Sequence, residues 1–203
     1  GDDFQAAREY AQTLAGEREL HLIPSFHRLL VSGVATYSLE LLRAVSDIDV
    51  AYVPIGLGSG ICGMIAARDA LGLKTEIVGV VSDQAPAYAH SFVARRLVEH
   101  PVTTQLADGM ACRTPEPEAL ETIWRGVDRV VQVTDDEIAA AMRLLFECTH
   151  NVAEGAGAAG LAAALQEKSR IVGRRIAVVL SGGNVDRQAY AAVLAEDSGP
   201  VEI

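Results

Sequence analysis

Lysine, cysteine and aromatic side chains are scarce in this sequence, and long apolar runs are missing. Among 203 residues the lysines are Lys74 and Lys168 alone, and aromatics make up 5%. Cys62, Cys112 and Cys148 are odd in number, widely spaced and without a C-x-x-C pair. That pattern argues against a disulfide framework or a structural zinc site and points to a reducing, cytoplasmic setting. No apolar run approaches the roughly 20 residues that span a bilayer, and Gly1-Asp2-Asp3 is no signal-peptide start. Positive charge is also in deficit. A formal net charge of −10 repels phosphate backbones and anionic headgroups, which excludes a broad nucleic-acid or membrane-surface role but leaves room for a local anion site. His21, His27, His90, His100 and His150 show no ligand spacing, so no metal site is expected from them.

Half of the residues are hydrophobic and 22% are charged, a balance suited to a packed α/β protein. Helical spacing of Phe4, Ala7, Tyr10, Ala11 and Leu14 predicts a first helix, followed by a short strand at His21-Leu22-Ile23-Pro24. A helix is predicted over Thr36 to Val45. Strands then alternate with helices: strand Asp49 to Pro54, helix Met64 to Leu71, strand Glu76 to Val81, helix Ala87 to Leu97, strand Arg129 to Val133. Thr134-Asp135-Asp136-Glu137 gives a capped, acidic start to the next helix. An Ala-rich helix follows Gly155 to Gly160. Arg175 to Leu180 reads as a strand broken at Ser181-Gly182-Gly183-Asn184, with a last helix over Arg187 to Ala195. This alternation predicts a doubly wound, mostly parallel sheet.

Three small-residue loops carry the chemistry. The run Gly56-Leu57-Gly58-Ser59-Gly60 lies where a buried strand turns into a helix. Free N–H groups and the positive end of the helix dipole can cradle a phosphate there, although a plain strand-to-helix turn would use the same glycines. Gly58-Ser59-Gly60-Ile61-Cys62-Gly63 also fits the dinucleotide pattern G-x-G-x-x-G, which keeps an NAD(P)-binding Rossmann domain as an alternative. The expected acidic residue fits poorly, Asp83 being the nearest. Ser181 to Asn184 follows a strand, so both loops are expected at one carboxyl edge of the sheet, and the Ser181 hydroxyl can reach a heteroaromatic ring. Glu154-Gly155-Ala156-Gly157-Ala158 is the third loop, with one carboxylate.

Taken in order, Ser32 to Glu40, Val53 to Gly63, Glu154 to Ala158 and Ser181 to Asn184 make the chain resemble fold-type II pyridoxal-phosphate enzymes, specifically the threonine/serine dehydratase and serine racemase group. The resemblance implies that residues 1–40 are the end of a smaller α/β domain and 41–203 the large cofactor domain, with the N-terminal part of the family fold absent. It implies pyridoxal 5′-phosphate as cofactor, Gly56, Leu57, Gly58, Ser59 and Gly60 as the phosphate loop, Ser181 at the pyridine nitrogen and Glu154 near the ring edge. Leu57 and Ser59 interrupt what is usually a glycine tetrad in this family. Where serine racemase relatives carry acidic metal ligands, this stretch reads Val81-Ser82-Asp83-Gln84-Ala85-Pro86-Ala87, so no metal is expected.

The lysine that binds the cofactor as a Schiff base in this family has no match at Lys74 or Lys168. It is expected upstream of Gly1, which makes this sequence a fragment without a catalytic residue of its own and inactive alone. The resemblance implies a parent dehydratase or ammonia-lyase that converts L-threonine, L-serine or a related β-hydroxy amino acid to a 2-oxo acid and ammonia. A hydroxyl at the pyridine nitrogen cannot keep it protonated as a carboxylate would, which favours prompt loss of a β-substituent. A small amino-acid substrate and a homo-oligomer, dimer or tetramer, are the implied partners. A non-catalytic binding module is the other alternative.

Overall fold

The computed structural model describes residues 3–195. Helices α1 (Phe4–Glu17) and α2 (Arg28–Ala44) precede strand β1 (Val50–Pro54), and α3 (Ser59–Ala70) leads to β2 (Glu76–Ser82). Then come α4 (Ala87–Ala94), a 3-10 turn at Asp108–Met110, α5 (Pro117–Gly126), β3 (Arg129–Val133), α6 (Asp135–Thr149) and α7 (Gly155–Gln166). A second 3-10 turn (Lys168–Arg170), β4 (Ile176–Val178) and α8 (Arg187–Ala195) complete the described chain. The four strands form one parallel sheet in the order β3-β2-β1-β4. Val50 of β1 is aligned with Glu76 on one side and Ile176 on the other.

Strand alternation sends neighbouring residues to opposite faces, and both faces are covered. Val50, Tyr52, Val78 and Val80 pack with Ile138, Met142 and Leu145 of α6, the alanines of α7 and Val193 of α8. Ala51, Val53, Ile77 and Val81 pack with Ile61, Met64 and Ile65 of α3, Leu120 and Ile123 of α5, and Leu42 of α2. The doubly wound parallel sheet expected from the sequence is therefore present. Helix α7 approaches the sheet closely because its inner face is glycine and alanine: a Cβ on Gly160 would lie 3.3 Å from the Tyr52 carbonyl oxygen.

The amino edge of the sheet is tied by charge. Arg129 donates to Glu167 (2.6 Å) and Glu76 (3.1 Å), Arg174 donates to Glu76 (2.9 Å), and the Tyr52 hydroxyl donates to Glu167 (2.7 Å). Burial, together with the Glu167 carboxylate, pushes the Tyr52 phenol up to about 12. Hydrogen bonding from Arg174 holds Glu76 below its ordinary value. Burial works to raise Glu167, but the hydrogen bonds from Arg129 and Tyr52 outweigh it and leave Glu167 lowered.

Several element bounds differ from the sequence reading, each for a local reason. His21 to Pro24 is coil, and among the described residues no strand pairs with it. Helix α2 begins at Arg28, eight residues before Thr36, because His27 caps it through an Nδ1 acceptor to the Leu29 N–H (3.2 Å) and Gly33 continues the helix. Helix α4 stops at Ala94 rather than Leu97: Arg95 takes a left-handed φ of 52°, and Ser91 Oγ captures the Val98 N–H at 2.9 Å. Helix α7 starts at Gly155, so the glycines read as a loop before a helix are its first turns. The predicted cap of α6 is a full capping box, with Thr134 and Glu137 each bonding the other's backbone N–H.

Candidate functional site

Beyond the carboxyl ends of β1 and β4 lies a cavity of about 550 Å³, within the size range of small-ligand sites. Its wall includes Val53 and Pro54 at the end of β1, Gly56 to Gly60 of the following loop, and Val179, Leu180 and Ser181 after β4. The position follows from topology. After β1 the chain moves outward through β2 to β3, then returns to place β4 on the other side of β1. Crossovers therefore leave in opposite directions between β1 and β4, the switch point where open α/β sheets bind ligands.

The glycine loop is fixed by close packing at Gly56 and Gly58. A Cβ on Gly56 would come within 2.5 Å of the Gly109 carbonyl oxygen. Gly58 caps α3 in the left-handed region at φ 102°, and a Cβ there would meet Ala119 Cβ at 2.7 Å. Side chains are thus excluded at both places. The first N–H groups of α3 have no acceptor within the helix and carry the positive end of its dipole. Among the described residues the cavity wall contains no lysine, arginine or histidine. The donors this wall has for an anion are backbone N–H groups and hydroxyls, the same kind that helix N-termini offer to phosphate.

The Ser181 loop is held against α7. A Cβ on Gly157 would overlap the Gly182 carbonyl oxygen, and that carbonyl accepts the Glu154 N–H at 3.1 Å. The Glu154 carboxylate accepts the Asn184 N–H at 3.1 Å. Of the predicted residues, Gly56, Leu57, Gly58, Ser59, Gly60 and Ser181 line the one cavity. Glu154 stands behind it, in a smaller hollow of about 240 Å³ with Asp108 and Asn184, where it fixes the loop that carries Ser181. Lys74 and Lys168 are both exposed and neither belongs to the cavity wall.

Tyr37 belongs to the Ser32 to Glu40 element but was given no role from sequence, and Gly109 and Met110 fall in none of the four elements that carry the resemblance. Tyr37 of α2 lines the cavity and donates to the Gly60 carbonyl oxygen at 3.3 Å, and burial raises its phenol. Gly109 and Met110 come from the 3-10 turn, whose Asp108 side chain accepts the Gly109 N–H at 2.9 Å. The Asp108-Gly109 pair is a turn signal visible in sequence, though nothing there says which face it joins. Among the described residues no group of three or more acidic, cysteine or histidine side chains could hold a metal ion.

A family model described as pyridoxal-phosphate dependent enzyme matches residues 1–182. The chain belongs to this family. Fold-type II pyridoxal-phosphate enzymes are also its structural neighbours. The chain is similar to the catabolic L-threonine dehydratase of Staphylococcus aureus strain USA300, 31% identical over 96% of this chain and 57% of that protein. The processed form of threonine deaminase isoform 2 from Solanum lycopersicum superposes with a TM-score of 0.87 at 27% identity, over 95% of this chain and 57% of that one. Maize serine racemase superposes with a TM-score of 0.82 at 31% identity, over 91% and 58%. The chain thus spans a little over half the length of these relatives.

The residues present fit the family's cofactor. The cavity offers side-chain-free approach at Gly56 and Gly58, unpaired N–H groups for a phosphate, and the Ser181 hydroxyl from the loop after β4. The dinucleotide alternative gives the Ser181 loop no part, whereas the fold brings it into the same cavity as the glycine loop. No helix among the described residues is long and apolar enough to cross a membrane.

Proposed function

We propose that the protein containing this chain is a pyridoxal-phosphate-dependent dehydratase or ammonia-lyase, converting L-threonine, L-serine or a related β-hydroxy amino acid to a 2-oxo acid and ammonia. The observation that carries the reading is the meeting of Gly56 to Gly60 and Ser181 in one cavity at the switch point. Bound there, pyridoxal phosphate supplies an electron sink for bond breaking at the amino acid's Cα. Gly56 to Gly60 hold the phosphate through backbone N–H groups. Ser181 meets the ring nitrogen with a hydroxyl, and Glu154 keeps that hydroxyl in place through Gly182 and Asn184. Val53, Val179, Leu180 and Met110 give the cavity its apolar wall.

Residues 1–40 are read as the end of a small domain and 41–203 as the large cofactor domain, 196–203 lying outside the described residues. Helix α2 crosses that boundary without a break. With Lys74 and Lys168 both off the cavity, this stretch supplies no lysine to the cofactor and is inactive by itself. A cytoplasmic homo-oligomer is the setting proposed, the three unpaired cysteines supporting the reducing compartment alone. The test is incubation of the full-length, cofactor-loaded protein with L-threonine and L-serine, with 2-oxo acid and ammonia quantified. Release of both in equal amounts is expected. Absence of 2-oxo acid from every β-hydroxy amino acid tried refutes the assignment.

A further inference from the structure

Tyr88 of α4 lies beneath the phosphate loop, 1% exposed and outside the cavity wall. Its hydroxyl donates to the Leu57 carbonyl oxygen at 2.7 Å and accepts the Glu116 N–H at 3.0 Å. One phenolic oxygen therefore joins α4, the glycine loop and the N-cap of α5. The hydroxyl also stands 3.2 Å from where a Cβ of Gly58 would be.

The consequence lies in the geometry of a single peptide unit. In a planar trans peptide the carbonyl and the next N–H point in opposite directions. With the Leu57 carbonyl drawn down to Tyr88, the Gly58 N–H is turned away from Tyr88. Gly58 has no side chain to resist rotation of that unit, and its φ of 102° lies in the left-handed region that glycine enters and leaves with little cost. Something outside the loop must choose the orientation. We propose that Tyr88 is a positioning residue for the cofactor phosphate, locking the Leu57–Gly58 peptide so that the Gly58 N–H is presented to the anion. Glu116 completes the device by fixing the rotation of the hydroxyl: an O–H whose lone pair is already engaged by an N–H keeps its proton on Leu57. Burial raises the Tyr88 phenol far above its ordinary value, so it remains a donor throughout the working pH range.

This inference rests on the cofactor reading above, and the test separates the two. Full-length protein stripped of cofactor is titrated with pyridoxal 5′-phosphate and, separately, with pyridoxal, which lacks the phosphate. The wild-type protein should prefer the phosphorylated form; no preference would overturn the cofactor site itself. Tyr88→Phe keeps the ring in the core and removes only the hydroxyl. It should raise the Kd for pyridoxal phosphate about tenfold, the scale of one lost buried hydrogen bond, while the Kd for pyridoxal stays within about twofold. A merely structural tyrosine would weaken both ligands alike. A folded Tyr88→Phe with the wild-type ratio of affinities overturns the proposal. Should that variant fail to fold, Glu116→Pro removes the N–H donor at a φ of −75° that proline adopts. It should lower the ratio at least about threefold, and an unchanged ratio there overturns the proposal equally.

Discussion

Gly33 and Gly157 are both helical glycines, yet alanine at the two positions should move stability in opposite directions. Gly33 is an exposed residue inside α2, and an added Cβ meets nothing within 4 Å. Only the backbone entropy of the unfolded chain changes, so Gly33→Ala should stabilise by about 1 kcal/mol. Gly157 sits in the first turn of α7, and its added methyl would overlap the Gly182 carbonyl oxygen and lie 3.2 Å from the Gly182 nitrogen. That carbonyl cannot swing aside freely, because it accepts the Glu154 N–H at 3.1 Å. Forcing two backbone segments apart costs about 1–3 kcal/mol, against a propensity gain of at most about 1 kcal/mol. The net is a loss of up to about 2 kcal/mol. For a chain of this size each kcal/mol moves Tm by about 2–4 °C, and by less in a longer protein. Thermal unfolding of the cofactor-free full-length protein should thus show Gly33→Ala above wild type and Gly157→Ala below it. Displacement of Gly182 also moves its neighbour Ser181, so Gly157→Ala should weaken pyridoxal-phosphate binding while Gly33→Ala leaves it unchanged. A Gly157→Ala protein as stable as Gly33→Ala, with wild-type cofactor affinity, would refute the close approach of α7 to the Ser181 loop.

Ser181 is exposed, so Ser181→Ala should change stability by no more than about 0.5 kcal/mol while lowering cofactor affinity or turnover; unchanged kinetics would remove its ring contact. Glu76 and Glu167 have lowered values in the folded chain. Their contribution to stability is complete above the ordinary carboxylate value of 4.5 and is lost as pH falls from there through the folded values. Glu167→Gln should cost about 2 kcal/mol near neutral pH, because Arg129 keeps Glu76, and should flatten the loss of stability below about pH 4.5, both read from urea unfolding across pH. Cys148 is exposed, while Cys62 and Cys112 are buried and burial pushes their thiols up to about 11 and about 12. Of these three, a disulfide reagent should therefore modify Cys148 rapidly in the native protein and the other two only after denaturant is added.

The parallel sheet was legible because buried strands such as Val50 to Pro54 and Glu76 to Ser82 are nearly continuous apolar runs, and Thr134 with Glu137 announces a helix start. The His21 to Pro24 segment misled for a physical reason: strand propensity describes fit to a pleated neighbour, and among the described residues no neighbour pairs with it. The bounds of α2 and α7 were misread because glycine in a helix looks like a break in sequence, although it is tolerated where close packing or exposure makes the missing Cβ harmless. The glycine loop and Ser181 could be predicted as members of one site, since both follow strands. Their depth of packing could not. That Gly109 presses on Gly56 depends on the irregular stretch between α4 and α5, which carries little periodicity, and that Tyr88 lies under Leu57 depends on how α4 packs against the loop, which helical spacing alone does not specify.

An acidic chain that binds a phosphorylated cofactor must overcome its own repulsion, and the arrangement of the cavity shows how. The net charge of −10 acts over distances comparable to the Debye length, about 8 Å at physiological ionic strength, and is largely screened beyond it. Backbone N–H groups act within hydrogen-bond distance, where screening is weak, and charge-assisted hydrogen bonds are about twice as strong as neutral ones. Among the described residues the cavity wall carries neither a cationic nor an acidic side chain, so its donors are these short-range N–H groups and hydroxyls. Glu154, the nearest carboxylate identified from sequence, is turned to the Asn184 N–H instead of the cavity. Binding then depends on where peptide groups point more than on how many charges are present. This places the selective demand on glycines, on the left-handed φ of Gly58 and on whatever holds those peptides in orientation, in place of the basic residues that a composition-based search for an anion site would seek.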